Sequence, residues 1–201
     1  MIPTLHYGQS TWTGAVTIAG STMAWNPADS GANYDFSNGN RTAAKTSLDN
    51  YIESLLRATR YVSAGKHYWE IHLDDTDLST PQNFYGISNA AEDVDNPSGT
   101  TTDSYGLLQS TGETYHNSVL TAYGSTFDTG DILALELDMD GGTLAYRLND
   151  VSMGTAFTGI SGTFTPSANL LRSSAYIITA RFRSADQSYP TRSGGFTAIG
   201  D

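Results

Sequence analysis

Cysteine is absent from this 201-residue chain, which excludes disulfides, thiolate metal ligands and cysteine nucleophiles at once. A small disulfide-stapled fold is therefore impossible, and a hydrophobic core must supply the stability. Basic residues are scarce. Ten Lys and Arg stand against 21 Asp and Glu, a formal net charge of −11, so a polyphosphate backbone is repelled and nucleic acid is a poor partner. Charged residues of both signs make up only 15 % of the chain while hydrophobic ones make up 38 %, too apolar a balance for disorder. Met1 to Gly20 contains neither a basic n-region nor an apolar run, and nowhere are there about 18 consecutive apolar residues, so neither a signal peptide nor membrane insertion is expected. The four histidines, His6, His67, His72 and His116, lack the HxxxH or HxH spacing of a metal site. No glycine-rich loop opens a helix to cradle phosphate. Gly86-Ile87-Ser88 lacks the second glycine of a nucleophile elbow. No metal, cofactor or catalytic residue is expected.

What is present is alternation. Apolar and polar residues exchange along short stretches punctuated by turn residues, the pattern of many short antiparallel strands, and the length suits one all-β domain. The clearest case runs from Ile132 to Asn149: Leu133, Leu135, Leu137 and Met139 share one face, and Ala134, Glu136, Asp138 and Asp140 the other. Gly141-Gly142 then tolerates a tight turn, and Leu144, Tyr146 and Leu148 resume the apolar face. A loop of those two glycines alone predicts Leu137 opposite Tyr146 and Glu136 opposite Arg147. Similar segments are Tyr68 to Leu73, Asn83 to Ser88, Ser104 to Leu108, Thr114 to His116, Phe164 to Leu171 and Tyr176 to Phe182. One stretch departs: Leu48, Ile52, Leu55 and Leu56 follow a helical spacing behind Ser47, an N-cap residue, and predict a brief helix yielding to a strand by Leu55. No repeat of about 20 to 50 residues marks a propeller or solenoid.

Several runs carry a family resemblance. Ser63-Ala64-Gly65-Lys66-His67-Tyr68-Trp69-Glu70-Ile71 resembles the "SGKxYWEV" strand of SPRY domains, Asn83 to Ser88 their "xVGIA" strand and Asp103 to Leu107 their "SYG" strand. Phe127 to Ile132, Leu137 to Leu144 and Arg147-Leu148-Asn149-Asp150 resemble the family's longest signature, and Gly154 to Phe157 its "GxAF". Trp25 to Asn33 and the closing Tyr189-Pro190 with Gly194-Gly195-Phe196 are similar to stand-alone SPRY-like proteins of bacteriophages and prophages. The resemblance spans roughly residues 22 to 198. It implies a concanavalin-like sandwich of two antiparallel sheets with at most one short helix, over 22–201, with 1–21 as an arm or first strands. It gives Trp69, Gly86, Gly130, Asp131, Asp138, Asn149 and Gly154 structural roles. Gly130 and Gly142 suit tight turns, and Asp131 and Asp138 suit bonding to turn amides rather than titration. Three positions depart from the family: Ala134 where a glycine is usual, Asp150 where a glycine follows Asn149, and Arg181-Phe182-Arg183 in place of "NFG".

Glu136 and Asp140 are four residues apart on a strand, roughly 13 Å at about 3.3 Å per residue, whereas a retaining glycosidase pair needs about 5 Å. A solvated face with Glu136 paired to Arg147 is the simpler reading. Asp74-Asp75-Thr76-Asp77 and Glu92 to Asn96 offer oxygen ligands for Ca²⁺ only if the loops meet, and neither follows an EF-hand. Twelve tyrosines suit either the core or contact surfaces. None of these features argues for catalysis, and the resemblance of the opening and closing segments to phage proteins implies a non-enzymatic binding protein: a phage virion accessory protein of capsid or tail, contacting other virion proteins. Leu5, Tyr7, Trp12 and Ile18 would line its docking arm. A host-surface glycan or receptor is the rival partner, a concanavalin-class glycosidase the weaker alternative, and a homo-oligomer is compatible with either binding role.

Overall fold

A computed structural model describes residues 22–46, 54–76, 83–170, 176–190 and 192–201. The described chain is built from strands, joined by turns and two single-turn 3₁₀ segments. In chain order they are β1 (Tyr34–Ser37), β2 (Thr42–Lys45), β3 (Leu55–Arg57), β4 (Lys66–Asp75), β5 (Phe84–Ser88), β6 (Ser104–Leu108), β7 (Thr114–His116) and β8 (Val119–Thr121). There follow β9 (Ile132–Asp138), β10 (Thr143–Leu148), β11 (Val151–Thr158), β12 (Thr165–Asn169), β13 (Ile177–Arg181) and β14 (Thr197–Ala198). The larger sheet runs β1-β2-β13-β4-β9-β10-β11 and the smaller β3-β12-β5-β6-β7-β8, all neighbours antiparallel. β14 pairs in parallel with His67 and Tyr68 of β4, just beyond the part of β4 that β13 covers.

Alternation decides which face is buried. Trp69, Ile71 and Leu73 of β4, Leu133, Leu135 and Leu137 of β9, and Leu144 and Tyr146 of β10 are all fully buried and meet Tyr85, Ile87 and Leu107 of the smaller sheet. The Tyr146 hydroxyl donates to the Tyr85 carbonyl at 3.0 Å, tying the layers across the core. Side chains of this size each stabilise by about 1.5–3 kcal/mol on burial.

The β9–β10 register differs from the two-glycine expectation. Leu137 lies opposite Leu144, Glu136 opposite Ala145 and Leu135 opposite Tyr146, so the loop holds four residues, Met139 to Gly142. The cause is local bonding: the Asp138 carboxylate accepts the Gly141 N–H at 2.7 Å and the Met139 N–H donates to the Gly65 carbonyl at 2.9 Å. The shift is by two residues, so every side chain keeps its face. Arg147 then reaches Glu136 on the diagonal at 3.6 Å.

Leu55 and Leu56 lie in β3, while the helical turn expected before them falls on 47–53, outside the described residues. Strands β1, β2, β8, β11 and β14 went unmarked by alternation. In β11 two register breaks against β10, beside Gly154, interrupt any single face.

Both outer faces are partly covered. Residues 89–103 pack over the smaller sheet, with the Ser98 N–H donating to Asn169 Oδ1 at 2.6 Å and the Ser98 and Ser167 hydroxyls 2.9 Å apart. For that reason β5 and β12 are buried on both faces. Across the larger sheet, the segment after β13 lies over Tyr68 and Glu70, which are 1 % and 0 % exposed. Glu70 accepts the Tyr68 hydroxyl and the Ser188 and Tyr189 N–H groups, at 2.8, 2.7 and 2.8 Å.

Candidate interaction surface

No charged side chain occurs between Glu113 and Asp128, nor between Asp150 and Arg172. In a chain of net charge −11 these two neutral stretches stand out only once the fold joins them. The first supplies β7 and β8 and ends the smaller sheet; the second supplies β11, ends the larger sheet, and leads into β12. The two edges lie side by side. The Tyr123 hydroxyl donates to the Gly154 carbonyl of β11 and accepts the Tyr146 N–H at 3.3 Å. A Cβ on Gly124 would stand 1.9 Å from the Met153 methyl, so this loop is seated on β11. Burial pushes the Tyr123 phenol up to about 12, which keeps it a neutral donor at physiological pH.

One end of this flank is aromatic. The Tyr105 and His116 rings stack in parallel, 4.0 Å between centroids and 4° apart, and the Phe157 ring of β11 meets Tyr105 edge-on at 5.1 Å. His116 Nδ1 lies 2.8 Å from the Ser104 carbonyl; a carbonyl only accepts, so Nδ1 carries the hydrogen and Nε2 is left for other partners. Burial, with the nearby Asp103 carboxylate, raises the Tyr105 phenol.

Isolated exposed apolar side chains are ordinary on a protein surface, so their placement is what matters. Among the described residues the exposed large hydrophobics are Val119, Leu120 and Val151, at 58, 46 and 70 %. All three stand on these two edge strands. The two stretches themselves carry no charged side chain and are rich in Ser, Thr and aromatic side chains, while the Asp150 pairs with Arg147 and Arg192 border them beside Val151. Such a surface meets another neutral surface at low desolvation cost.

The residues singled out from the family pattern lie elsewhere. Trp69 is in the core. Gly86 faces the loop-covered outer side of the smaller sheet, and Gly154 sits in the left-handed region at φ 88° within β11. Gly130 turns the chain into β9, its N–H on the Leu73 carbonyl at 2.8 Å. Asp131 accepts the Asp128 N–H at 2.8 Å and the Asn149 amide at 2.7 Å, and Asn149 Oδ1 accepts the Ile132 N–H at 2.9 Å. Asp138 holds the β9–β10 turn and pairs with Lys66 at 2.8 Å; that ammonium and the Gly141 N–H keep its carboxyl below the usual range. Leu5, Tyr7, Trp12 and Ile18 fall outside the described residues.

Other groups considered for chemistry are committed to the fold. Glu92 accepts the Thr101 and Ser104 hydroxyls, each at 2.6 Å, and the Asn96 amide at 3.0 Å. Asp74 pairs with His72 at 2.7 Å, and Asp140 accepts the Gly65 N–H at 2.8 Å. A cleft of about 310 Å³ is lined by Thr22, Asn38, Gly39, Arg41 and Arg183, but both arginines pair with Asp186 at 2.8 Å. The sequence signal for the flank is its two long intervals without a charged residue, which no motif or strand period marks.

A family model described as the SPRY domain matches residues 66–180. The SPRY domain of human HERC1 is similar over 79 % of this chain and 97 % of that one, with 19 % identity and a TM-score of 0.69. A human SPRY domain matches over 75 % of this chain and 95 % of that one, at 14 % identity and a TM-score of 0.60. The PSpry domain of TRIM65 matches over 79 % and 88 %, at 16 % identity and a TM-score of 0.61. At these identities the structural likeness concerns the fold.

Proposed function

The chain belongs to the SPRY domain family, typically non-catalytic protein-interaction modules, and from that premise we propose that it is an accessory protein of a bacteriophage particle, docked through its charge-free flank. The flank carries the reading. It gathers the exposed large hydrophobics of the described residues onto two adjacent sheet edges, while the rest of an acidic surface repels other acidic proteins. The phage context rests on the likeness of Trp25 to Asn33 and of the Tyr189 to Phe196 tail to SPRY-like phage proteins. Partners are then other proteins of the capsid or tail, with residues 1–21 as a second point of attachment.

The test is incorporation into particles. Val151→Lys places a charge on the flank at a 70 % exposed site, so folding is unchanged while the amount of protein purifying with particles falls at least tenfold. Undiminished incorporation of a Val151→Lys, Leu120→Lys double variant would sink the flank as the contact. A chain that never purifies with particles, even unsubstituted, would sink the virion role.

The stacked Tyr105 and His116 rings favour one second reading, a glycan or receptor contact, because sugar rings pack on such faces. Binding of the purified chain on a glycan array, lost in Tyr105→Ala, would support it over particle docking.

A further inference from the structure

We infer that Met153 is an oxidation site, and that its reduced thioether latches the two edges of the flank together. The latch stands on its own geometry; its effect on docking rests on the reading of the flank as a contact surface. At the second register break between β10 and β11, Tyr146 faces Gly154 while Arg147 faces Ser152. Met153 is the extra residue between them. A bulge of this kind re-aims a side chain, and here it brings the Met153 methyl to 1.9 Å, and its sulfur to 3.6 Å, from where a Cβ on Gly124 would stand. The methyl fills the space that glycine leaves open. The loop is held from its other side as well, because the Gly124 N–H donates to the Gly112 carbonyl at 2.8 Å, and a Cβ on Gly112 would meet the Ser125 carbonyl oxygen at 2.6 Å. The residue after Met153 completes the clasp, its carbonyl accepting the hydroxyl of Tyr123, which itself accepts the Tyr146 N–H.

The chemistry follows from what the chain lacks. With no cysteine, the sulfurs that meet a peroxide are those of four methionines. Met23 and Met139 are 2 % and 8 % exposed and sit in the core, and Met1 lies outside the described residues. Met153 is half-buried at the surface, packed against the core only in part. Its sulfur lone pair attacks one oxygen of hydrogen peroxide and the O–O bond breaks; the sulfur loses two electrons, the peroxide gains them, and water leaves with the remaining oxygen. The product sulfoxide is polar. Its oxygen has to stay hydrated, which the notch at Gly124 does not allow, so the side chain turns outward and the 122–125 loop loses its seat on β11.

Mild hydrogen peroxide treatment of the folded full chain, followed by peptide mapping, should add one oxygen at Met153 at least tenfold faster than at Met23 or Met139. Hydrogen exchange at the Tyr146 amide should then quicken at least tenfold while that of Leu133 and Leu135 in β9 stays unchanged, and methionine sulfoxide reductase should reverse the effect. Met153→Leu conserves volume, so it should keep the seam closed and ignore peroxide. Equal oxidation at Met23 or Met139, a sulfoxide at Met153 that leaves Tyr146 unaltered, or the same quickening in Met153→Leu would overturn the inference. Rebinding of the purified chain to particles that lack it separates the two readings. It should fall at least tenfold after peroxide in the parent and hold in Met153→Leu. A loosened Tyr146 with undiminished rebinding keeps the latch and removes the flank as the particle contact, whereas an unaltered Tyr146 in a chain whose rebinding still falls on Val151→Lys removes the latch and keeps the flank.

Discussion

A Cβ on Gly86 would lie 1.8 Å from the Tyr105 carbonyl oxygen and 2.8 Å from its carbonyl carbon. The neighbouring strand backbone leaves no room for a side chain on this outer face, and the obstructing atoms cannot rotate away. Gly86→Ala must displace β6, and with it the loop over Ser98; the expected cost is about 3 kcal/mol, the upper end for overpacking. Gly130→Ala is the control. Nothing lies within 4 Å of that position, but its φ is 88°, so only backbone strain of about 1–2 kcal/mol is expected. Urea denaturation of both variants checks the order, which reverses if close approach is not the reason for glycine at 86.

Glu70 fastens the C-terminal segment to the larger sheet. Its carboxylate is fully buried and receives two backbone N–H groups and a tyrosine hydroxyl, with the Arg181 guanidinium 3.7 Å away. Glu70→Ala strands these donors and should cost about 3–5 kcal/mol. It should also speed hydrogen exchange at Ser188 and Tyr189 more than in β9. Uniform acceleration across the molecule would mean that Glu70 supports the whole fold rather than this segment.

Acid should remove the contributions of Asp138 and Asp186. Lys66 and the Gly141 N–H hold the Asp138 carboxyl below its ordinary 3.8, and Arg183 and Arg41 do the same at Asp186. A lowered folded-state value means stability present above about pH 3.8 and lost as the pH falls below it. The pairs are close to solvent, so each contributes little. Asp138→Asn should therefore be less stable than the parent at pH 7, with the difference shrinking as the pH falls below 3.8. A gap that persists in acid would assign the effect to turn geometry instead of charge.

At Asp150 two effects of similar size oppose each other. Its φ of 67° is one that glycine adopts freely, and the resemblance to the SPRY pattern places glycine there. The carboxylate is held by Arg147 at 3.2 Å and Arg192 at 2.9 Å. Asp150→Gly relieves strain of about 1–2 kcal/mol but removes both pairs. Salt weakens the pairs and leaves the strain untouched, so the variant should gain stability relative to the parent as salt rises from about 0.05 to 1 M. An unchanged difference would show that the pairs contribute nothing at this site.

Period-two alternation exposed the core strands because each has one face against the other layer: Leu133, Leu135 and Leu137 sit where their spacing placed them. It failed for β11, where bulges break the period, and for β8, which buries neither face. The β9–β10 loop is longer than Gly141-Gly142 suggests, because the Asp138 carboxylate starts the turn two residues earlier. Family departures that looked local have a shared setting in three dimensions. Ala134 lies opposite both Glu70 and Arg147 in the sheet, and Arg181 and Asp150 pair with Glu70 and Arg192.

From the residue order alone came the all-β class and the identity of most buried side chains, because burial of one strand face imposes a period that can be read without coordinates. The neutral flank was not available in that way. Its two halves, around Leu120 and Val151, are 31 residues apart, and they meet only because β8 and β11 end their respective sheets on the same side of the sandwich. Which edges coincide is set by strand order and by the packing of one layer on the other, and no short-range pattern encodes either.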